Sequence, residues 1–381
     1  MRVMIAGGGT GGHLFPGLAV AEEVITRHPG NEVVFVGTSR GLEARVVPAA
    51  GFPLEILEAR GLKGTSIGQR LLGLWALPRA LWASFRLLWR YRPDVVLGVG
   101  GYVSGPVVLA AWFLRVPTAV QEQNALPGLT NRILGRLASA VFVSFEEARA
   151  FFPRRRTHLV GNPVRRALLD NFLRSTVKHE KFTVLVFGGS LGARGLNTRV
   201  LEALGHLKSV KDAVHFVHQT GKHDLERVQK AYAEAGMDAE VTEFIDDMSG
   251  AYAKADLVVC RAGATTLAEL TICKKASLLV PFPHATDDHQ AVNAQAMVSQ
   301  GASRMFREEQ LTGEQLAREI VSLLNDRERL RVMEKKAALL GRPEAARELA
   351  DVCVKLMVRA YGPQGRKRAN TESLRKGAAR S

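Results

Sequence analysis

The chain has 381 residues, 46% of them hydrophobic and 23% charged, the profile of a folded protein with large cores and room for two domains of ordinary size. Its net charge is +15, but residues 60–92 hold seven Arg or Lys and no acid, and residues 359–381 hold seven against the single acid Glu372, so +13 of the +15 lies in two segments. A nucleic-acid binder would more often spread its charge over the folded body; this concentration argues against nucleic acid and for a membrane surface or another anionic partner.

Met1 runs almost at once into a core strand expected over 3–6, which leaves no room for a signal peptide. That strand ends in Gly7-Gly-Gly-Thr10-Gly11-Gly12-His13, a glycine turn opening a helix. A second strand is expected over 33–36. In the acid-free segment, Trp75, Trp82 and Trp89 recur at seven residues, two helical turns, with Arg79, Arg86 and Arg90 between them and Leu71 and Phe85 beside them. Such a stripe either packs into a core or forms a basic amphipathic surface on anionic lipid; the absence of acids favours the surface, and Trp112-Phe113 extends it. No stretch reaches the roughly 18 uninterrupted apolar residues of a spanning helix.

Strands are expected next over 95–99, 118–121 and 141–143. Gly98-Val-Gly100-Gly101-Tyr102-Val-Ser104 follows the first of these, and Glu122-Gln-Asn124 the second. Val160-Gly-Asn-Pro-Val-Arg165 breaks helix and strand alike and reads as a linker. The pattern then restarts, with strands expected over 183–187, 215–219, 241–244, 257–260 and 276–280, and Gly188-Gly-Ser190-Leu-Gly-Ala after the first. Strands alternating with helices imply parallel sheets built from βαβ units. Gln315–Tyr361 is helical with a bend at Gly341-Arg-Pro343, and the basic tail beyond Gly362 is too poor in apolar residues to order. The cysteines, Cys260, Cys273 and Cys353, form no pair or metal signature, which fits a reducing cytosol.

Three glycine turns at strand ends suit a bulky phosphorylated ligand. The first formally fits a dinucleotide fingerprint, but the ribose-binding acid is missing: the second strand ends at Gly37 and Glu43 lies well beyond. His13, at the helix start, can accept a proton from a hydroxyl or hold one in place. In the second half, Arg261-Ala-Gly263 leads into a helix whose first amides suit a phosphate, and Glu269 can accept from a ribose diol. The loop Val280–Asn293 is rich in groups that read sugar hydroxyls, with Asp287 and Asp288 expected to N-cap the helix there. Histidines and acids do not fall at metal-ligand spacings, and no Asp-x-Asp is present, so no metal is expected.

Gly7–His13, Gly98–Tyr102, Glu122–Asn124, Gly161–Arg165, Gly188–Ala193, Phe244-Ile245-Asp-Asp-Met248 and Arg261-Ala-Gly-Ala264 with Glu269 resemble the MurG family, bacterial transferases that make lipid II from lipid I with UDP-N-acetylglucosamine. The resemblance runs in unbroken order over roughly residues 1–357. It implies an α/β, GT-B glycosyltransferase fold: two Rossmann-like domains with parallel sheets facing a central cleft. Residues 1–160 would bind acceptor and membrane, 161–340 the UDP-sugar, 341–361 would pack back on the first domain, and 362–381 would be a disordered tail. Thr10, Gly11, Gly12 and Asn124 would contact the sugar side of the donor, and Arg165 and Ser190 its diphosphate. Ile245 would face uracil; Ala264, Thr265, Thr266, Leu267, Ala268 and Glu269 would hold the α-phosphate and ribose; Gln290 would read the sugar hydroxyls. Some members carry Gln-Gln where this chain has His289-Gln290.

The reaction implied is an inverting transfer without cofactor. UDP-N-acetylglucosamine donates to the muramyl 4-hydroxyl of lipid I, with His13 or Glu122 as general base and Gly100, Gly101, Tyr102 and Ser104 on the acceptor or diphosphate loop. The enzyme would lie peripherally on the cytoplasmic face of the inner membrane, with cell-wall or division-complex proteins as further partners. Two alternatives stand beside it: another UDP-sugar enzyme of the fold, a 2-epimerase or glycolipid synthase, and a basic adaptor on a dead α/β scaffold.

Overall fold

The computed structural model describes the backbone of residues 1–57, 67–175 and 180–378 and, except at 67–76 and 363–378, their side chains. The chain splits into two compact units, Met1–Arg165 with Glu344–Ser381, and Arg166–Pro343.

Unit 1 contains β1 (Arg2–Gly7), α1 (Gly11–Arg27), β2 (Glu32–Gly37), α2 (Glu43–Ala49), β3 (Leu54–Ile56), α3 (Ile67–Tyr91), β4 (Val95–Gly100), α4 (Ser104–Phe113), β5 (Thr118–Glu122), α5 (Leu129–Leu137), β6 (Ala140–Val143) and β7 (Thr157–Leu159). Its seven strands form one parallel sheet ordered β3-β2-β1-β4-β5-β6-β7. The strands are apolar along their length because helices cover both faces. Leu14, Leu18, Val20 and Val24 of α1 pack with Ile5, Phe35, Val95 and Leu97 on one face. Leu88 of α3 and Val107, Val108 and Ala111 of α4 pack with Met4, Val34, Val96 and Val120 on the other.

Unit 2 contains α6 (Arg166–Arg174), β8 (Phe182–Phe187), α7 (Arg194–Leu204), β9 (Val214–Gln219), α8 (Leu225–Ala235), β10 (Ala239–Thr242), α9 (Met248–Lys254), β11 (Leu257–Cys260), α10 (Ala264–Ile272), β12 (Ala276–Leu279), α11 (His289–Ser299), β13 (Ser303–Met305), α12 (Gly313–Asn325) and α13 (Arg327–Leu340). The sheet is again parallel, ordered β10-β9-β8-β11-β12-β13. In both sheets the order reverses beside the first strand, between β1 and β4 and between β8 and β11. Connections leave to opposite sides there, so the turn after the first strand of each sheet stands at a topological switch point, the place at the carboxyl edge where such sheets take ligands.

After the bend at 341–343, α14 (Ala345–Ala378) returns to unit 1. Leu349, Ala350, Cys353 and Met357 enter the core beside α1, and Arg27 Nη1 donates to Asp351 Oδ1 at 2.7 Å. The backbone breaks at Gly362 (φ 63°, ψ −164°) and then runs helically to Ala378, where composition predicts a disordered tail. Poverty in apolar residues argues against burial, but Arg, Lys, Gln and Ala are good helix formers. The observed strands that sequence reading passes over, β3, β7 and β13, are three-residue edge strands, too short for a period-2 signal.

Leu349→Ala removes a fully buried side chain from the α1–α14 contact. It should cost about 2–5 kcal/mol and lower the urea midpoint of unit 1, read by tryptophan fluorescence since all four tryptophans lie there.

Candidate active site

In unit 1 the turns after β1 and β4 interlock. Gly100 and Gly101 have φ of 101° and 82°; a Cβ on Gly101 would lie 2.7 Å from Gly8 O, and one on Gly100 2.6 Å from His13 Nδ1. His13, in the first turn of α1, therefore lies directly over the Gly100 backbone. Its Nδ1 is 3.2 Å from Gln123 Oε1. Gln123 Nε2 donates to Val99 O at 2.6 Å and to Gln121 Oε1, and Gln121 Nε2 donates to Asn162 Oδ1 at 2.9 Å. With its amide nitrogen spent on acceptors, Gln123 presents an acceptor oxygen to the ring. In neutral His13 the proton is then on Nδ1 and the basic lone pair on Nε2.

Glu122 is 1% exposed and serves the loop that follows β5. It accepts from Asn124 N (2.9 Å), Asn124 Nδ2 (3.3 Å), Gly128 N (3.1 Å) and Asn131 Nδ2 (2.9 Å). Burial pushes its carboxyl up, and these hydrogen bonds pull it back towards the ionised form. Both oxygens face the loop backbone, so Glu122 is placed to shape the 123–128 turn rather than to meet a substrate hydroxyl. Ser104 is likewise fully buried, its Oγ packed beneath Gly98 and lacking a hydrogen-bond partner among the described residues, whereas Tyr102 is exposed. Thr10 sits at the N-cap of α1 without a side-chain cap, ahead of Gly11 and Gly12. Arg165 is exposed, its guanidinium 5.5 Å from the Phe15 ring centroid.

Glu43, 1% exposed and set aside by the linear dinucleotide pattern, holds the first glycine turn from behind. From the start of α2 it turns back to accept from Gly9 N (2.8 Å), Thr38 N (2.9 Å) and Thr38 Oγ1 (2.8 Å). A Cβ on Gly8 would lie 2.4 Å from its carboxylate carbon. Burial alone would raise this carboxyl, but the donors from Gly9 and Thr38 hold it below the usual glutamate value of 4.5.

In unit 2 the turn after β8 exposes Ser190, and Ile245 lies in the loop between β10 and α9. Along α10, Ala264 and Leu267 turn into the core while Thr265, Thr266, Ala268 and Glu269 are partly exposed. Glu269 Oε2 accepts from the buried Tyr252 hydroxyl at 3.0 Å, which fixes the carboxylate. Gln290 Oε1 accepts from Ala262 N (3.2 Å) and Phe282 N (3.0 Å), so the group it can offer a sugar is its NH2. Arg261 points inward: Nη1 donates to Val280 O and Pro281 O, both at 3.1 Å, and Nη2 pairs with Glu308. Asp288 stands at the N-cap of α11 but its side chain makes no cap hydrogen bond. Asp287 and Asp288 both have φ of 53°, outside the extended region usual for an N-cap, and Asp288 instead pairs with Arg307 at 2.6 Å. His289 Nδ1 lies 2.7 Å from Thr286 O.

The stripe on α3 divides by face. Ala80, Ser84 and Leu88 are buried, while Trp82 and Trp89 are 60% and 56% exposed and join Phe85, Trp112 and Phe113 in a chain of ring contacts. Arg79, Arg86 and Arg90 are exposed beside it. Leu71 and Trp75 lie outside the described side chains. No described helix is long and apolar enough to cross a membrane, and no group of three or more potential metal ligands occurs among the described residues.

The glycosyltransferase family 28 N-terminal domain matches residues 3–143 and the family 28 C-terminal domain residues 183–349. A crystal structure of Acinetobacter baumannii MurG superposes with a TM-score of 0.77 at 32% identity, covering 93% of this chain and 99% of that one. A UDP-N-acetylglucosamine–N-acetylmuramyl-(pentapeptide) pyrophosphoryl-undecaprenol N-acetylglucosamine transferase of Myxococcus xanthus is 67% identical over 99% of this chain and 98% of its own. The chain belongs to the MurG family. A Geobacter transferase of the same description is 49% identical over 93% of this chain and 96% of its own. A UDP-GlcNAc 2-epimerase from Neisseria meningitidis, 15% identical with a TM-score of 0.67 over 93% of this chain and all of its own, shares the fold. The two parallel-sheet domains of this MurG-family chain are therefore Rossmann-like units of the GT-B class.

Glu43 carries a pH prediction. Because its carboxyl is depressed on folding, the stability it adds is present above the ordinary value of 4.5 and is lost as pH falls through the folded value. Glu43→Gln should therefore destabilise unit 1 by about 1–3 kcal/mol near pH 7 and by less near pH 4, as read from urea unfolding at each pH.

Proposed function

We propose that this chain transfers N-acetylglucosamine from UDP-N-acetylglucosamine to the muramyl 4-hydroxyl of lipid I, giving lipid II with inversion at the anomeric carbon. The observation that carries the reading is the end-to-end match at 67% identity to a relative described by that reaction. The epimerase reading rests on structures under 20% identical, which speak for the fold alone.

The chemistry of the site fits. His13 is the general base: Gln123 holds the proton on Nδ1, so Nε2 takes the proton from the 4-hydroxyl as its oxygen attacks. The bond to the UDP oxygen breaks on the opposite face. The amides of the Gly188–Ser190 turn and of the first turn of α10 receive the negative charge of the leaving diphosphate, as fixed dipoles that need no reorganisation. Glu269, fixed by Tyr252, accepts from the ribose diol, and Gln290 donates to the sugar hydroxyls. Thr10, Gly11, Gly12 and Asn124 line the sugar side, with the Gly100–Tyr102 turn beside the acceptor.

Transfer of labelled N-acetylglucosamine from UDP to a lipid I analogue tests the assignment; release of a free epimerised sugar instead would make the chain an epimerase. His13→Ala should lower turnover by about two to four decades and leave UDP-N-acetylglucosamine affinity largely intact. Unchanged turnover would remove His13 from the mechanism.

The exposed Trp82, Trp89, Trp112 and Phe113, joined by the half-buried Phe85 and flanked by Arg79, Arg86 and Arg90, form the face that seats the enzyme peripherally on the anionic membrane carrying lipid I. Binding to vesicles should require anionic lipid and weaken with salt, and Trp82→Ser with Trp89→Ser should weaken it about tenfold or more. Equal binding to neutral vesicles would rule out the electrostatic part.

A further inference from the structure

The turn after β8 has little of its own to hold its shape. Gly189 and Ser190 are exposed and Leu191 is 90% exposed. Its hydrogen bonds meet at the Gly189 carbonyl, one from the neighbouring strand and one from within the turn. Gln219, the last residue of β9 and 3% exposed, donates from Nε2 to Gly189 O at 2.8 Å, and Gly192 N donates to the same carbonyl at 2.9 Å. Further along, the two backbones touch: a Cβ on Gly192 would lie 2.1 Å from Thr220 O, and one on Gly221 2.3 Å from Leu191 O. With φ of 75° and 78°, both positions also demand glycine conformationally.

The segment that carries Gln219 is anchored in the core. Asn197 of α7 donates from Nδ2 to Thr220 O (3.0 Å) and Asp224 Oδ2 (2.7 Å), so its Oδ1 accepts from His218 Nε2 at 3.1 Å. The other ring nitrogen of His218 then accepts from the Tyr232 hydroxyl at 3.1 Å. Burial pushes the His218 imidazole down to about 3, so the ring is neutral near physiological pH and this network keeps one arrangement of donors.

The consequence lies in the Gly189–Ser190 peptide. In a trans peptide the C=O and N–H point in opposite directions, and no described peptide bond is cis. With Gly189 O turned towards Gln219 of β9, the Ser190 N–H of the trans peptide points away from that side chain, and on the side of β8 away from β9 the sheet continues with β11, whose end leads into α10. We propose that Gln219 is a positioning residue for the donor's diphosphate, aiming the Ser190 amide at it by pinning the Gly189 carbonyl. This rests on the reading that the Gly188–Gly192 turn takes the diphosphate, and it names what makes that turn competent.

The test is calorimetry of the full-length protein with UDP and with uridine. Gln219→Leu keeps the size and removes the donor, and Gln219→Ser is too short to reach Gly189. Either should weaken UDP by about tenfold while uridine affinity stays within about twofold, which also reports an intact fold. UDP binding like wild type, or an equal loss for uridine, would overturn the proposal. Ser190→Pro, which deletes the amide itself, separates the two layers. If it leaves UDP binding unchanged, the diphosphate reading fails. If it weakens UDP while the Gln219 variants do not, only the role of Gln219 fails.

Discussion

A glycine turn binds phosphate well because its backbone is bare, and for the same reason it cannot hold itself in shape. Both units meet this constraint by pinning such a turn from below with a buried polar side chain from another element. In unit 1 the Glu43 carboxylate takes the Gly9 amide; in unit 2 the Gln219 amide takes the Gly189 carbonyl. The chemistry of the pin is opposite in the two cases. An anion gathers N–H groups inward beside the histidine, whereas a donor draws a carbonyl inward and turns an N–H outward. That contrast suits the separate tasks proposed for the two turns, one bearing a proton acceptor and the other meeting a departing anion.

His13 shows the same economy of means. Its Nδ1 faces a relay of amides, Gln123 to Gln121 to Asn162. A carboxylate partner would stabilise the imidazolium; a neutral amide orients the ring without adding charge beside a phosphorylated substrate.

What was legible in the sequence was what is local. Central strands announced themselves as apolar runs, the glycine turns marked the strand ends, and Gly341-Arg-Pro343 marked the return of the chain. What was hidden depends on approach through space. Glu43 fails the linear test for a ribose acid because it lies beyond the end of β2, and nothing in sequence order indicates that it folds back thirty-four residues to Gly9. Tyr252 reads as one more apolar core residue until its hydroxyl is found on Glu269. Glu122 is the reverse case: a carboxylate beside Asn124 invites a catalytic role in sequence, and only the structure shows its burial and the four donors that tie it to the following loop. The tryptophan stripe was ambiguous because a seven-residue spacing marks one face of a helix without saying which way it looks; the small Ala80 and Ser84 on the opposite face settle it.

The return of α14 to unit 1 bears on how the chain acquires its structure during synthesis. Unit 2 is continuous in sequence and can fold as soon as it leaves the ribosome. Unit 1 emerges first, yet α1 and its sheet wait for Leu349, Cys353 and Met357 to close their core. The unit bearing the basic histidine is thus the first to be translated and the last to be finished, and nascent chains pass through an interval in which the partner domain is complete while an apolar groove on the earlier one still awaits its covering helix.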